Sequence, residues 1–191
     1  MSIYNTENTE AWYGFGERRE HQFIKTVAPL LGLRAEINPT KAYDKTAPDL
    51  LINGKIAELK TEETPFFMAQ TKYGIPPQYA VSFNRGDYLT YKDKYPSMDV
   101  YFWVNWKVLE WQHPQTNLIH RVQPMFGVYR ISVSSIVKQI EAGTQRLHAY
   151  QRRIGDPRNE RHSYGLDVRN FERLCEFNPQ KTTLQARAVS L

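Results

Sequence analysis

PDLLINGKIAELK, residues 48–60, mixes apolar runs with an aspartate, a glutamate and two lysines. Asn53-Gly54 stands between two apolar runs. That pair is a strong hairpin signal, because a type I′ turn needs positive φ at both central residues. With Asn53 and Gly54 as the loop, Ile52 faces Lys55, Leu51 faces Ile56, Leu50 faces Ala57 and Asp49 faces Glu58. Side chains alternate between the two faces of a strand. Asp49, Leu51, Ile56, Glu58 and Lys60 therefore share one face, and Leu50, Ile52, Ala57 and Leu59 share the other. The second face is wholly apolar and is predicted to be buried.

This register sets two carboxylates opposite each other, with Cβ atoms about 4.5–5.5 Å apart. A like-charge pair at that distance needs neutralising, by a proton on one acid or by a cation between them. Lys60 lies two residues beyond Glu58 on the same face and balances part of the charge. Two carboxylates with nearby carbonyls and waters make a hard, all-oxygen donor set, which suits Mg²⁺ or Mn²⁺ rather than zinc. Such an ion polarises a phosphodiester and activates a water, and an adjacent lysine orients that water or helps deprotonate it and offsets transition-state charge.

"PD" followed on the next strand by "ELK" resembles the active-site motif of the PD-(D/E)xK nuclease superfamily, whose core is the restriction-endonuclease-like fold. The resemblance implies that Asp49, Glu58 and Lys60 are catalytic. It also implies that Asp49 and Glu58 bind Mg²⁺, with the carbonyl of Leu59 as a further ligand. Many members add an acid from the first helix. In GERREHQFIKTVAPLLG, Glu20 lies one turn before Phe23 and Ile24, as in the Holliday-junction resolvases of that superfamily; Glu17, one turn earlier, is the alternative. The similarity covers roughly residues 16–61. Gln70 with Tyr73, and Gln78 with Tyr79, lack the spacing of the glutamine–tyrosine motif of the RecB-like branch.

Outside the hairpin, Phe23, Ile24, Val27, Leu30 and Leu31 follow helical spacing, with Pro29 as a kink or early end and Gly32 as a stop. LRAEI is a candidate strand and NPTKAYDKTA a loop. Residues 61–78 form a long connection rich in turn formers. YAVSF is read as a strand, NRGDYLTYKDKY as a helix begun at Asn84 or Asp87, MDVYFWVNWKVLEW as one long strand, GVYRIS as a strand and SVSSIVKQIEAG as a closing helix. The order predicts an α/β domain with a mixed central sheet flanked by helices. Residues 1–9 are expected to form a loose tail, 10–143 the nuclease-like core, and 144–191 a basic extension packing on or beside it. Within that extension LDVRNFERL is read as a short helix.

The chain has 191 residues, 41% of them hydrophobic, and a formal net charge of +5. That suits one domain with a sizeable core and favours a polyanionic partner, which the nuclease resemblance implies is DNA. Arg146, Arg152, Arg153, Arg158 and Arg161 are the candidate phosphate contacts. One cysteine, Cys175, allows no internal disulfide and is consistent with a reducing, cytoplasmic setting. No apolar run is long enough to span a bilayer, the five histidines show no zinc spacing, and no Gly-rich phosphate loop is present. Asp44 is read as a turn residue, Glu62 and Glu63 as solvent-facing, and Trp103, Trp106 and Trp111 as core. The expected activity is a Mg²⁺-dependent endodeoxyribonuclease, with a homodimer supplying two sites where both strands of a duplex are cut. The alternative is a non-catalytic nucleic-acid-binding module on the same fold.

Overall fold

The structure, a computed structural model, describes residues 9–44, 46–149 and 162–177. Helix α1 (Thr9–Gln22) runs into one π-helical turn at Phe23–Val27 and a 3-10 turn at Pro29–Leu31. Pro29 has no N–H to donate and its ring blocks the preceding turn, so the α-ladder cannot continue through it. Gly32 then closes the segment with φ +66°, a conformation that favours glycine. The broken ladder changes which side chains face inward. Phe23, Val27 and Ala28 are buried, but Leu30 is 86% exposed. The helical spacing that placed Leu30 in the core does not survive the π-turn.

Strand β1 (Ala35–Ile37) precedes the hairpin, β2 (Leu50–Ile52) and β3 (Lys55–Glu62). Asn53 and Gly54 both have positive φ, 51° and 76°. The register is Leu50↔Ala57, Leu51↔Ile56 and Ile52↔Lys55, as the two-residue turn requires. Next come α2 (Ala69–Tyr73), β4 (Ala80–Asn84), α3 (Arg85–Lys94) and β5 (Asp99–Asn105). Strand β5 lies parallel to β3, pairing Glu58↔Val100 and Lys60↔Phe102. A parallel pair needs a crossover, and the segment from α2 to α3 supplies it. The long strand expected over Met98–Trp111 stops at Asn105. A small hairpin follows, β6 (Glu110–Gln112) and β7 (Ile119–Arg121).

Strand β8 (Phe126–Ser132) and helix α4 (Val133–Glu141) come next, with Ser132 capping the helix by accepting from the Ser135 N–H. Strands β9 (Leu147–Ala149), β10 (His162–Asp167) and β11 (Glu172–Phe177) complete the described chain. The main sheet is mixed and six-stranded, in the order β1-β2-β3-β5-β8-β11, and a second sheet runs β4-β10-β9. LDVRNFERL is therefore not a helix. It turns through a 3-10 segment at Val168–Asn170 and enters β11. The open edge of β8 offers a row of backbone partners, and Arg130 on β8 holds Glu172 on β11. Tertiary pairing overrides a local helical preference.

The sheet is covered on both faces. Phe23, Val27 and Ala28 pack on Leu50, Ile52, Ala57, Leu59, Tyr101 and Trp103. The other face buries Val100, Phe102, Val104, Tyr129 and Ile131 under Val133 and Ile136 of α4 and Leu166 of β10. Burying each large apolar side chain contributes about 1.5–3 kcal/mol. Tyr73 of α2 lies against Gly165 of β10, where an added Cβ would stand 2.3 Å from the ring. Tyr73 also shares a buried hydrogen bond with Ser163. Among the described residues no helix is long and apolar enough to cross a membrane.

Candidate active site

Asp49 stands one residue before β2, held by its backbone. Its carbonyl accepts from the Asn38 N–H at 3.0 Å, and Asn38 Nδ2 donates to the Pro48 carbonyl at 2.8 Å. Asn38 is buried, and its Oδ1 accepts from the Thr40 N–H, capping a 3-10 turn at Pro39–Ala42. One asparagine thus ties the Pro-Asp step to the turn that carries Lys41. Across the hairpin, the carboxylates of Asp49 and Glu58 each reach the other's strand. Glu58 Oε2 lies 3.3 Å from the Asp49 N–H, and Asp49 Oδ2 lies 3.4 Å from the Leu59 N–H. The two acids converge on one face, and Glu58 is only 4% exposed.

Two lysines stand among the acids. Lys60 Nζ lies 2.7 Å from Glu58 Oε1 and 2.6 Å from Oδ2 of Asp87, on the first turn of α3. Lys41 Nζ lies 2.6 Å from Asp49 Oδ1 and 2.7 Å from Oε1 of buried Glu20, near the end of α1. The site is two acid–lysine–acid triplets, Glu20–Lys41–Asp49 and Glu58–Lys60–Asp87, that meet at Asp49 and Glu58. Glu17 is exposed.

Burial and the Asp49 charge push Glu20 up to about 7, against the pull of Lys41. Burial likewise pushes Glu58 up to about 7; Lys60 opposes it, while Asp49 and Asp87 add to it. Burial alone would lower Lys60, but the carboxylates of Glu58 and Asp87 hold it well above the ordinary lysine value.

With every group ionised, four carboxylates (Glu20, Asp49, Glu58 and Asp87) face two ammonium groups (Lys41 and Lys60), leaving two negative charges in excess. Two protons or one divalent cation would balance them. The donors are all oxygen, which fits Mg²⁺ or Mn²⁺. Among the described residues no three acidic, histidine or cysteine side chains already form a ready metal cage. Instead, lysine ammonium groups lie between the carboxylates.

Lys41 and Asp87 are the site residues that sequence reading missed. Lys41 sits in a polar turn with no periodicity, and only Asn38's long-range bonds bring it to Asp49. Asp87 was visible as an acid opening a helix; its contact with Lys60 depends on the crossover between β3 and β5. Asp44 accepts from the Thr46 N–H and hydroxyl and belongs to a turn. Glu62 and Glu63 do not face solvent as expected. Glu62 accepts from the Ser82 N–H and hydroxyl at 3.3 and 3.2 Å, and Glu63 is half-buried between Arg19 and Lys107. Their inward setting follows from β3 running on through Glu62 beside β5. Trp103 and Trp106 are buried and Trp111 partly so. Arg146 is exposed, and Arg152, Arg153, Arg158 and Arg161 lie outside the described residues.

No family model matches the chain, and no curated protein matches it. Among solved structures it is similar to the structure of D212, a nuclease from a fusselovirus, at 11% identity. The match covers 86% of this chain and 84% of that one, with a TM-score of 0.38. A likeness this loose does not define a function.

Proposed function

We propose that the protein is a divalent-metal-dependent deoxyribonuclease with a PD-(D/E)xK site. The observation that carries this is the convergence of Asp49 and Glu58 across the hairpin, with the Lys60 ammonium beside Glu58. Asp49, Glu58, the Leu59 carbonyl and Glu20 would hold Mg²⁺ or Mn²⁺. When bound, such an ion supplies Lewis acidity to the phosphodiester and acidifies a water.

Lys60 has a definable part in this chemistry. Its ammonium is held by two carboxylates, 2.7 Å from Glu58 Oε1 and 2.6 Å from Asp87 Oδ2. It orients the attacking water by donating hydrogen bonds and offsets charge that grows on the phosphate. Asp87 grips the same Nζ from the far side and so positions it. A net charge of +5 supports a polyanionic substrate, and the arginines of the C-terminal extension are its proposed phosphate contacts. A homodimer would place two such sites on a duplex.

Purified protein should cut or nick DNA with Mg²⁺ or Mn²⁺ and stop with EDTA. Asp49→Ala and Lys60→Ala, shown folded by circular dichroism, should lose the activity. Cutting that persists in both would sink the proposal. Lys41 seated between Glu20 and Asp49 favours a second reading, in which lysines neutralise the acids and the chain binds nucleic acid without cutting it. That reading predicts salt-sensitive DNA retention with no cleavage under any divalent metal.

A further inference from the structure

Lys41 has a setting that a structural ion pair does not require. Its Nζ sits 2.6 Å from Asp49 Oδ1 and 2.7 Å from Glu20 Oε1, two of the carboxylates that the proposed metal would use. One ammonium and one divalent ion cannot both occupy the space between them. The ammonium carries a single charge where the acids could take two. The side chain rises from a four-residue 3-10 turn rather than from the sheet. Its flexible four-carbon stem allows Nζ to move without moving the backbone. Lys60, by contrast, projects from within β3 and is gripped by Glu58 and Asp87, neither of which contacts Lys41.

We propose that Lys41 is the exchangeable cation of the site. Its ammonium holds Glu20 and Asp49 together while no metal is bound. It yields them when a divalent ion binds and then passes to a phosphate of the DNA. This rests on the metal-site reading and adds a residue to it. Metal-free, the lysine keeps buried Glu20 from facing Asp49 uncompensated. With metal bound, the displaced charge is delivered to the rim of the site, where the backbone of a polyanion must lie.

The test uses the full chain and Mn²⁺ alone, without DNA. Calorimetry should show Lys41→Met binding Mn²⁺ about three- to tenfold more tightly than the wild type, the range expected when a partly buried competing ion pair is removed. Lys41→Gln is the second variant, should Lys41→Met unfold. Equal or weaker Mn²⁺ binding in the folded variant overturns the proposal. The wild type gives an independent reading. Reductive methylation followed by mass spectrometry should show Lys41 modified faster when Mg²⁺ is present, because its Nζ has been released. A rate that is unchanged or slower overturns exchange.

With Ca²⁺ and a duplex oligonucleotide, Lys41→Met should bind DNA with a salt slope smaller by about one than the wild type; an equal slope overturns the phosphate contact. Failure of the underlying reading looks different. If neither the wild type nor Lys41→Met binds Mn²⁺, the metal site itself is wrong. If the wild type binds, Glu58→Ala does not, and Lys41→Met matches the wild type, exchange alone is wrong.

Discussion

Lys60 and Lys41 each place an ammonium between two carboxylates at nearly equal distances, yet their scaffolds differ. Lys60 belongs to β3, where its backbone pairs with Phe102 of β5 just beyond the ladder that β2 makes with Lys55–Ala57. Lys41 belongs to a short turn that is tied to the sheet through Asn38. The same chemical group on a strand is a fixed electrostatic element, and on a turn it is one that can change partners. The site accordingly divides into a rigid half, Glu58 with Lys60 and Asp87, and an adjustable half, Glu20 with Lys41 and Asp49.

Removing each lysine in turn separates the two settings most strongly. If Lys60 offsets transition-state charge, Lys60→Met should lower metal-dependent cleavage by about 10²–10³-fold, the usual effect of losing one preorganised donor. Lys41→Met should cost far less in turnover, about tenfold or below, with its main effect on metal and DNA affinity. Equal losses of turnover at the two positions would erase the distinction. Single-turnover rates at saturating Mn²⁺ make the measurement.

Asp87 tests how rigid the first half is. Asp87→Asn removes the second charge that grips Lys60 and leaves Glu58 to hold it alone. The expected result is about a tenfold fall in kcat with KM little changed, as for a positioning residue whose loss misplaces a catalytic group. Asp87→Glu should recover part of the rate. A rise in KM with kcat intact would mean that Asp87 acts on substrate binding instead.

Each half was legible only in part. The Asp49–Glu58 pairing follows from the turn and the two-residue period, both local in sequence, and the structure keeps that register. The apolar face of the hairpin was legible for the same reason. Lys41 was not, because NPTKAYDKTA has no periodicity and its geometry depends on Asn38 meeting Pro48, ten residues away. Asp87 was hidden by the parallel pairing of β3 with β5, which no local pattern announces. Leu30 and LDVRNFERL misled in a related way. A proline-induced change of helix type turned one outward, and an open sheet edge drew the other into a strand.

Glu62 offers a contrast on the same strand. Like Glu58 it is an acid on the α3-facing side of β3, but its hydrogen-bond partner is Ser82 rather than a lysine. Burial pushes its carboxyl from 4.5 up to about 7, with the Ser82 hydrogen bonds opposing. The folded state then binds this proton more tightly than the unfolded chain. Its contribution is fully present below pH 4.5 and is lost as pH rises towards about 7. Glu62→Gln should remove that slope, making the variant more stable relative to wild type by about 2–3 kcal/mol at pH 7 than at pH 4.5. Urea unfolding at several pH values checks it. A constant difference across the window would mean that Glu62 is ionised throughout.

The smallest expected effect lies at the turn that sets the register of the rigid half. Gly54 has φ +76° with open space around the position of an added Cβ, so Gly54→Ala introduces backbone strain without a clash. It should cost about 1 kcal/mol. Asn53 tolerates φ 51° as few other residues do, and its Oδ1 also accepts from the Arg34 N–H at 2.9 Å, linking the turn to the chain just before β1. Asn53→Ala should therefore cost about as much or slightly more. Neither residue touches the acids. If the strands hold Asp49 opposite Glu58 by their pairing, both variants should unfold earlier in urea yet retain wild-type Mn²⁺ affinity while folded. Loss of Mn²⁺ binding in a folded Gly54→Ala protein would show that the turn, and not the ladder beside it, keeps the carboxylates together.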